Sequence, residues 1–181
     1  MRFVLIRHAR TRWNDAKRLQ GWSDVEPYPE ALTRFWEATE GIPIRPDVIY
    51  TSDLKRAVLS GRLLLNRYGE VPLLSDWRIR ERHMGEWEGA YSEQIKRDHP
   101  EVLTVDFRLS GGESLLDVAE RVEGFVKDVL NYSRKRGWEN VVVVTHQLTM
   151  EILRRKLLGL PVDDTVWDYL RGSGEWVLVE V

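Results

Sequence analysis

The sequence predicts a three-layer α/β sandwich, with a mostly parallel central sheet and helices on both faces. Short apolar runs rich in β-branched residues alternate with amphipathic helical patterns, which is typical of parallel sheets. The run Arg2–Ile6 opens the chain as a buried strand, and Asn140–His146 is the strongest strand pattern. With 181 residues and no internal repeat or linker, the chain is predicted to form one domain, residues 1–181.

The remaining elements follow from periodicity and from stop signals. Weaker strand patterns occur at Asp47–Ser52, Val71–Leu74 and, after a Gly-Ser-Gly turn, in the alternating tail Glu175–Val181. Apolar residues at helical spacing predict helices at about Glu30–Glu40, Asp53–Gly69, Ser114–Gly137 and Leu148–Leu158. Ser114 is a typical N-cap, and Gly137 follows the helix that it begins.

Composition excludes several classes of function. The formal net charge of −2 argues against a broad nucleic-acid surface, and no apolar run is long enough for a membrane span. The chain has no cysteine, so thiolate catalysis and cysteine metal sites are ruled out. No signal peptide pattern opens the chain, and a cytoplasmic protein without nucleic-acid or membrane partners is expected.

Two histidines stand where predicted strands end. Arg7 and His8 directly follow the first strand, and His146 closes the run VVVVTH. In open parallel sheets, ligands bind beyond the carboxyl ends of the strands, so these side chains are expected to face one another across a pocket.

The chemistry of these residues favours a phosphate over a metal. Zinc is the alternative, but His83 and His99 are the only other histidines, and the neighbouring arginines would repel a cation. Arginine binds phosphoryl oxygens in bidentate fashion, and its charge keeps a nearby histidine unprotonated and nucleophilic. Attack on phosphorus would produce a phosphohistidine, and the leaving alkoxide would then need an acid as proton donor.

Six blocks, in order, resemble the histidine phosphatase superfamily of phosphoglycerate-mutase-like proteins. The first, Arg7-His8-Ala9-Arg10-Thr11 with Asn14, resembles the family signature RHGxTxxN. The others are LQGWSD, YTSDLKRA, RERHMGEWEG, GGES and VVVVTH, which together extend the resemblance over almost the whole chain. In style the chain is closest to small phosphatases such as alpha-ribazole phosphatase.

The resemblance implies a role for each matching residue. His8 would accept the phosphoryl group, and Glu81 would protonate the leaving group and then activate water. The phosphoryl oxygens would be held by Arg7, Arg56 and His146. Further contacts to phosphate or substrate would come from Asn14, Gln20, Gly21 and Gln147. The family needs no metal or organic cofactor for hydrolysis.

Without the resemblance, two of these residues have plainer interpretations. Arg56 could be an exposed helix charge, and Glu81 could belong to a surface salt-bridge cluster with Arg78, Arg80 and Arg82. Three positions also depart from the family pattern, each where glycine is usual, and these are Ala9, Trp36 and Gln147. Alanine tolerates a positive φ poorly, and Gln147 could narrow the pocket or donate a hydrogen bond inside it.

The predicted function is hydrolysis of a small phosphorylated metabolite, by a monomer or homodimer. A cofactor-dependent phosphoglycerate mutase is the first alternative, but the stretch between Ala90 and Ser114 is short and has no adjacent arginine pair. Met84 also stands where mutases carry tyrosine. The non-enzyme alternative is a phosphate-binding module without turnover. It is disfavoured because the residues that catalysis requires are all present, namely Arg7, His8, Arg56, Glu81 and His146.

Overall fold

A five-stranded sheet forms the centre of the computed structural model, which describes residues 1–181. Its strands are β1 (Arg2–Arg7), β2 (Val48–Thr51), β3 (Leu73–Ser75), β4 (Asn140–Thr145) and β5 (Trp176–Glu180). Their order in the sheet is β3-β2-β4-β1-β5, and only β5 is antiparallel to its neighbour. The prediction of a mostly parallel α/β sheet is confirmed.

Six α-helices surround the sheet. They are α1 (Arg12–Asp15), α2 (Pro29–Ala38), α3 (Lys55–Tyr68), α4 (Ser92–Asp98), α5 (Leu115–Arg136) and α6 (Gln147–Leu158). Helix α5 begins at a capping box on Ser114 and ends at Gly137 in the left-handed conformation, as its sequence predicts. None of the helices is both long enough and apolar enough to cross a membrane.

The two faces of the sheet bury separate cores. Along β1, Phe3 and Leu5 pack with α5 and α6, whereas Val4 and Ile6 pack with α2 and α3. Successive side chains of a strand point to opposite faces, so an uninterrupted apolar strand needs helices on both sides. This arrangement confirms the three layers.

The strand register places the candidate site at one edge. Arg7 of β1 lies beside Thr145 of β4, and Thr51 of β2 lies beside Val144. The residues that follow these three parallel strands therefore emerge together at the carboxyl edge of the sheet.

Candidate active site

The two strand-end histidines meet at this edge. The ring centroids of His8 and His146 are 5.0 Å apart, and the ring planes are inclined at 58°. Both side chains are buried, and the backbone N–H of His8 donates to the Thr145 carbonyl at 3.0 Å. The predicted juxtaposition of the two imidazoles across one pocket is confirmed.

A single hydrogen bond defines the tautomer of His8. Its Nδ1 lies 2.6 Å from the Ala9 carbonyl oxygen, which can only accept, so Nδ1 carries the proton. In the neutral ring, Nε2 is therefore unprotonated. This is the tautomer that a nucleophilic histidine requires.

His146 is held through both of its nitrogens. Arg56 donates from Nε to His146 Nδ1 at 3.2 Å, so the proton of the neutral ring is on Nε2. That nitrogen lies 2.6 Å from Ser52 Oγ, and the serine oxygen accepts its proton. For His146 Nδ1 to donate to an anion, the anion must take over the Arg56 Nε–H and the ring must gain a proton at Nδ1.

Burial and positive charge keep both imidazoles neutral. The pKa of His8 is lowered well below its ordinary 6.5, first by burial and then by the charges of Arg56 and Arg7. The pKa of His146 is lowered well below 6.5 as well, by burial, by Arg56 and by His8. Burial also lowers the pKa of Arg7 and of Arg56, each to about 10, so both guanidiniums remain charged at neutral pH.

Two buried neutral histidines predict a specific loss of stability in acid. The unfolded chain protonates each histidine near pH 6.5, whereas the folded chain does so only at lower pH. Stability should therefore fall as pH drops below about 6.5, by roughly 1.4 kcal/mol per pH unit for each histidine. Denaturant unfolding between pH 7.5 and 5 measures this, and His8→Asn should remove about half of the slope. An unchanged slope in that variant would contradict the neutral state of His8.

Arg56 is oriented by the loop that follows α1. It is fully buried, which rules out its interpretation as an exposed helix charge. Its Nη2 donates to the Gly21 carbonyl at 2.6 Å, and its Nη1 donates to the Ser23 carbonyl at 2.7 Å. Gly21 has a φ of +51°, and a Cβ there would lie 2.8 Å from the Met84 nitrogen, so glycine is required. Two of the five guanidinium N–H groups of Arg56 remain available for a ligand.

Arg7 has an unused donor inside the protein. Its Nη1 donates to the Arg171 carbonyl at 2.8 Å, and that carbonyl also accepts from Gln147 Nε2 at 3.2 Å. Its Nε is buried and has no hydrogen-bond partner. A buried, unpartnered N–H of a charged group is costly, so it indicates a place that an anion fills. Gln147 thus helps to fix the carbonyl that orients Arg7.

Glu81 faces the start of α6 and makes no salt bridge with its neighbouring arginines. Its carboxylate accepts from the backbone N–H groups of Arg82, Leu148 and Thr149, at 3.0, 3.2 and 3.3 Å. The three arginines have other partners: Arg78 pairs with Asp76 and Asp128, Arg80 pairs with Asp53, and Arg82 donates only to carbonyls. The interpretation of Glu81 as part of a salt-bridge cluster is wrong.

Two buried arginines fix the chain around Glu81. Arg121 of α5 donates to the carbonyls of Arg78, Arg80 and Glu81 at 2.6 to 2.9 Å. Arg82 has no acidic partner, and it donates to three carbonyls of the segment 102–113. Because these bonds run to main-chain atoms, the position of Glu81 is set by the backbone of this loop.

Asn14 and Gln20 lie against the same threonine. Asn14 Oδ1 accepts from the Thr11 N–H at 2.9 Å and completes the capping box of α1. Gln20 Oε1 accepts from Thr11 Oγ1 at 2.7 Å. Both residues border the cavity beside His8, and neither amide nitrogen is hydrogen-bonded within the protein. Their predicted contact with phosphate stays a prediction.

The other departures from the family pattern are accommodated locally. Ala9 does not adopt a positive φ, and its N–H donates to Ser60 Oγ at 2.9 Å. Trp36 lies on α2, where the Arg67 guanidinium stacks 4.1 Å from its ring. Neither side chain borders the cavity, so Gln147 alone of the three changes its lining.

All nine predicted site residues border one cavity of about 340 Å³. Sequence reasoning did not identify Ser52 or Thr149, although Ser52 lies inside a matched block and Thr149 follows His146 by three positions. It also missed the part of the lining formed by Lys17, Trp167 and neighbouring residues, which carry no motif. No group of three or more His, Asp or Glu side chains is placed to hold a metal ion.

Comparison with known protein families identifies the family of this chain. The sequence profile of the histidine phosphatase superfamily (branch 1) matches residues 3–179. The chain belongs to this superfamily. The resemblance seen in the six sequence blocks is thereby confirmed.

Relatives in the histidine phosphatase superfamily include phosphatases and mutases. The chain is 34% identical to a glucosyl-3-phosphoglycerate phosphatase of Mycolicibacterium vanbaalenii, covering 97% of this chain and 82% of the relative. It is 30% identical to a 2,3-bisphosphoglycerate-dependent phosphoglycerate mutase of Cytophaga hutchinsonii, over 89% and 79% of the two chains.

Solved structures agree with the fold. A mycobacterial glucosyl-3-phosphoglycerate phosphatase in complex with VO3 superposes with a TM-score of 0.84 at 32% identity, covering 99% of this chain and 92% of that one. The alpha-ribazole phosphatase of Shigella flexneri superposes with a TM-score of 0.83 at 23% identity, over 100% and 91% of the two chains. At that identity, the second likeness concerns the fold alone.

Proposed function

We propose that this protein hydrolyses small phosphomonoesters through a phosphohistidine formed at Nε2 of His8. The observation that carries the proposal is the hydrogen bond from His8 Nδ1 to the Ala9 carbonyl, which leaves Nε2 unprotonated in a cationic cavity. The buried, unpartnered Nε of Arg7 supports it, because a phosphoryl oxygen is the acceptor that this donor lacks.

In the first step, His8 Nε2 attacks phosphorus, and the bond between phosphorus and the ester oxygen breaks. Arg7, Arg56 and His146 hold the three equatorial oxygens, whose negative charge they offset during transfer. The carboxyl group of Glu81 gives its proton to the departing alkoxide, so an alcohol leaves and Glu81 becomes a carboxylate.

In the second step, water attacks the phosphohistidine. The Glu81 carboxylate takes a proton from this water as its oxygen bonds to phosphorus, and the bond between phosphorus and Nε2 breaks. Inorganic phosphate leaves, and both His8 and Glu81 return to their starting states. The backbone donors at the start of α6 keep the Glu81 carboxylate in one orientation throughout.

Phosphoglycerate mutase activity is the second candidate, favoured by the mutase relative at 30% identity. A mutase would return the phosphoryl group to another hydroxyl of the bound intermediate and would exclude water. The two activities differ in what happens to the phosphohistidine. In a phosphatase its phosphoryl group passes to water and inorganic phosphate is released, whereas in a mutase it returns to the bound intermediate.

A simple assay tests the proposal. The protein should release p-nitrophenol and inorganic phosphate in equal amounts from p-nitrophenyl phosphate. Arginines and histidines supply the positive charge that a metal supplies elsewhere, so activity should survive exhaustive treatment with EDTA.

Three outcomes would contradict the proposal in different ways. No hydrolysis of any phosphomonoester would favour the binding module without turnover. Phosphoglycerate isomerisation that needs added 2,3-bisphosphoglycerate, with little release of phosphate, would favour the mutase. Loss of activity in EDTA, restored by one metal, would favour a metal-dependent phosphatase.

The proposal also covers the substrate class, the oligomeric state and the cellular location of the enzyme. We expect a small phosphorylated metabolite as substrate, a monomer or homodimer as the working form, and a cytoplasmic location. No nucleic-acid or membrane partner is expected from a chain of net charge −2.

A further inference from the structure

The cavity extends well beyond the residues that would hold a phosphoryl group. Its volume of about 340 Å³ is within the range of pockets that bind whole small molecules. The extension is bordered by the chain after α1, by α4, and by the 3-10 helix Asp164–Tyr169 with the residue that follows it. The alcohol half of a substrate would therefore lie among these three segments.

Lys17 is the unusual residue of this extension. It is the only residue other than glycine with a positive φ, at 54°. This conformation costs an L-residue with a Cβ roughly 1–2 kcal/mol, and glycine or asparagine is its ordinary occupant. Hydrogen bonds hold the turn, from the Lys17 N–H to the Asn14 carbonyl at 3.1 Å and from the Ser92 N–H to the Lys17 carbonyl at 2.9 Å. A lysine in this conformation at the border of the cavity is a candidate for contact with the substrate.

Among the cations of the cavity extension, the Lys17 ammonium is the one without a partner. Arg18 donates to the Gly89 carbonyl and to the Tyr91 hydroxyl, and its guanidinium stacks on the Tyr91 ring. Lys96 lies 3.9 Å from a carboxylate oxygen of Glu93. Lys17 borders the same cavity and makes no salt bridge or side-chain hydrogen bond.

Part of the lining of the extension is apolar. Leu148, Trp167 and Leu170 border the cavity, and the indole N–H of Trp167 donates to the Leu103 carbonyl at 2.7 Å. A flat carbon skeleton can pack on these side chains, because the indole N–H of Trp167 already has its hydrogen-bond partner in the protein.

We propose that Lys17 determines substrate specificity by binding a carboxylate on the alcohol half of the phosphomonoester, while the carbon skeleton packs against Trp167. The inference rests on the proposed hydrolysis at His8 and adds the chemical class of the leaving group. The exposed Lys17 ammonium borders the cavity and has no partner in the protein, so it can bind a carboxylate through a charge-assisted hydrogen bond.

Two matched aryl esters test this inference. The probes are 4-carboxyphenyl phosphate and 4-carbamoylphenyl phosphate, which have nearly the same shape and differ in charge. The wild-type protein should prefer the carboxylate in kcat/KM, by about tenfold to a hundredfold. Lys17→Met should abolish this preference, mainly through a higher KM for the carboxylate ester, and should leave kcat/KM for the carbamoyl ester unchanged.

Further variants separate recognition from folding. Lys17→Asn should also lose the preference, while its Tm rises because asparagine tolerates the left-handed conformation. Lys135→Met, at an exposed position near the end of α5, should keep the wild-type preference. The inference is overturned if Lys17→Met and Lys17→Asn hydrolyse both esters with the wild-type ratio. If the wild-type protein hydrolyses neither ester and no p-nitrophenyl phosphate, the proposed function fails instead.

Discussion

Replacing His8 with alanine is expected to abolish the phosphoenzyme and to lower kcat/KM for every phosphomonoester by roughly 10⁴-fold or more. The variant loses the only atom that can form the covalent bond, whereas the remaining donors around the phosphoryl site are unchanged. Rapid quenching after mixing with p-nitrophenyl phosphate, followed by measurement of acid-labile phosphate on the protein, checks this result.

The control for His8→Ala is His99→Ala, which removes a partly exposed histidine outside the cavity lining that contacts Glu101 and the Trp87 ring. It should form phosphoenzyme at the wild-type rate. Binding of vanadate to the His8 variant, followed by a rise in Tm, would verify that the pocket is still folded. Wild-type hydrolysis by a folded His8→Ala variant would mean that water attacks the ester directly.

Replacing Glu81 with glutamine should slow the enzyme according to the leaving group. An aliphatic alkoxide needs a proton as it departs, so hydrolysis of an alkyl phosphate should slow by roughly 10²–10⁴-fold. p-Nitrophenolate leaves without much help, so its release in the first turnover should slow far less. Activation of water is still lost, so the variant should accumulate phosphohistidine with this substrate. Burst kinetics with both kinds of ester measure the difference.

The matched control for Glu81→Gln is Glu86→Gln, five residues further along the chain and outside the cavity lining. That variant should behave like the wild-type protein with both esters. If Glu81→Gln slows good and poor leaving groups equally and traps no phosphoenzyme, Glu81 is not the proton donor.

Strong local patterns made most of the fold predictable. The strand before His146 and the helix between Ser114 and Gly137 have boundaries that their own residues indicate. Both predicted elements match the structure closely. Helix α1 with four residues and α4 with seven are too short to show a helical period, so they were not predicted. The single-domain prediction for residues 1–181 stays a prediction.

The nine site residues could be predicted because they lie in short motifs at strand ends and helix starts. Sequence could not show how the two arginines of the site are held in place, since they donate to main-chain carbonyls distant along the chain. Arg7 depends on the carbonyl of Arg171, and Arg56 depends on those of Gly21 and Ser23. Lys17 was not identified because nothing in the sequence indicates that this lysine has a positive φ.

The most direct test of the account is to identify the phosphorylated atom. The wild-type protein is quenched during turnover of p-nitrophenyl phosphate, digested under alkaline conditions, and analysed by mass spectrometry and ³¹P NMR. The hydrogen bond from Nδ1 to Ala9 predicts phosphate on Nε2 of His8 and on no other residue. Phosphate on His146, on Nδ1 of His8, or on no residue during rapid turnover would contradict the account.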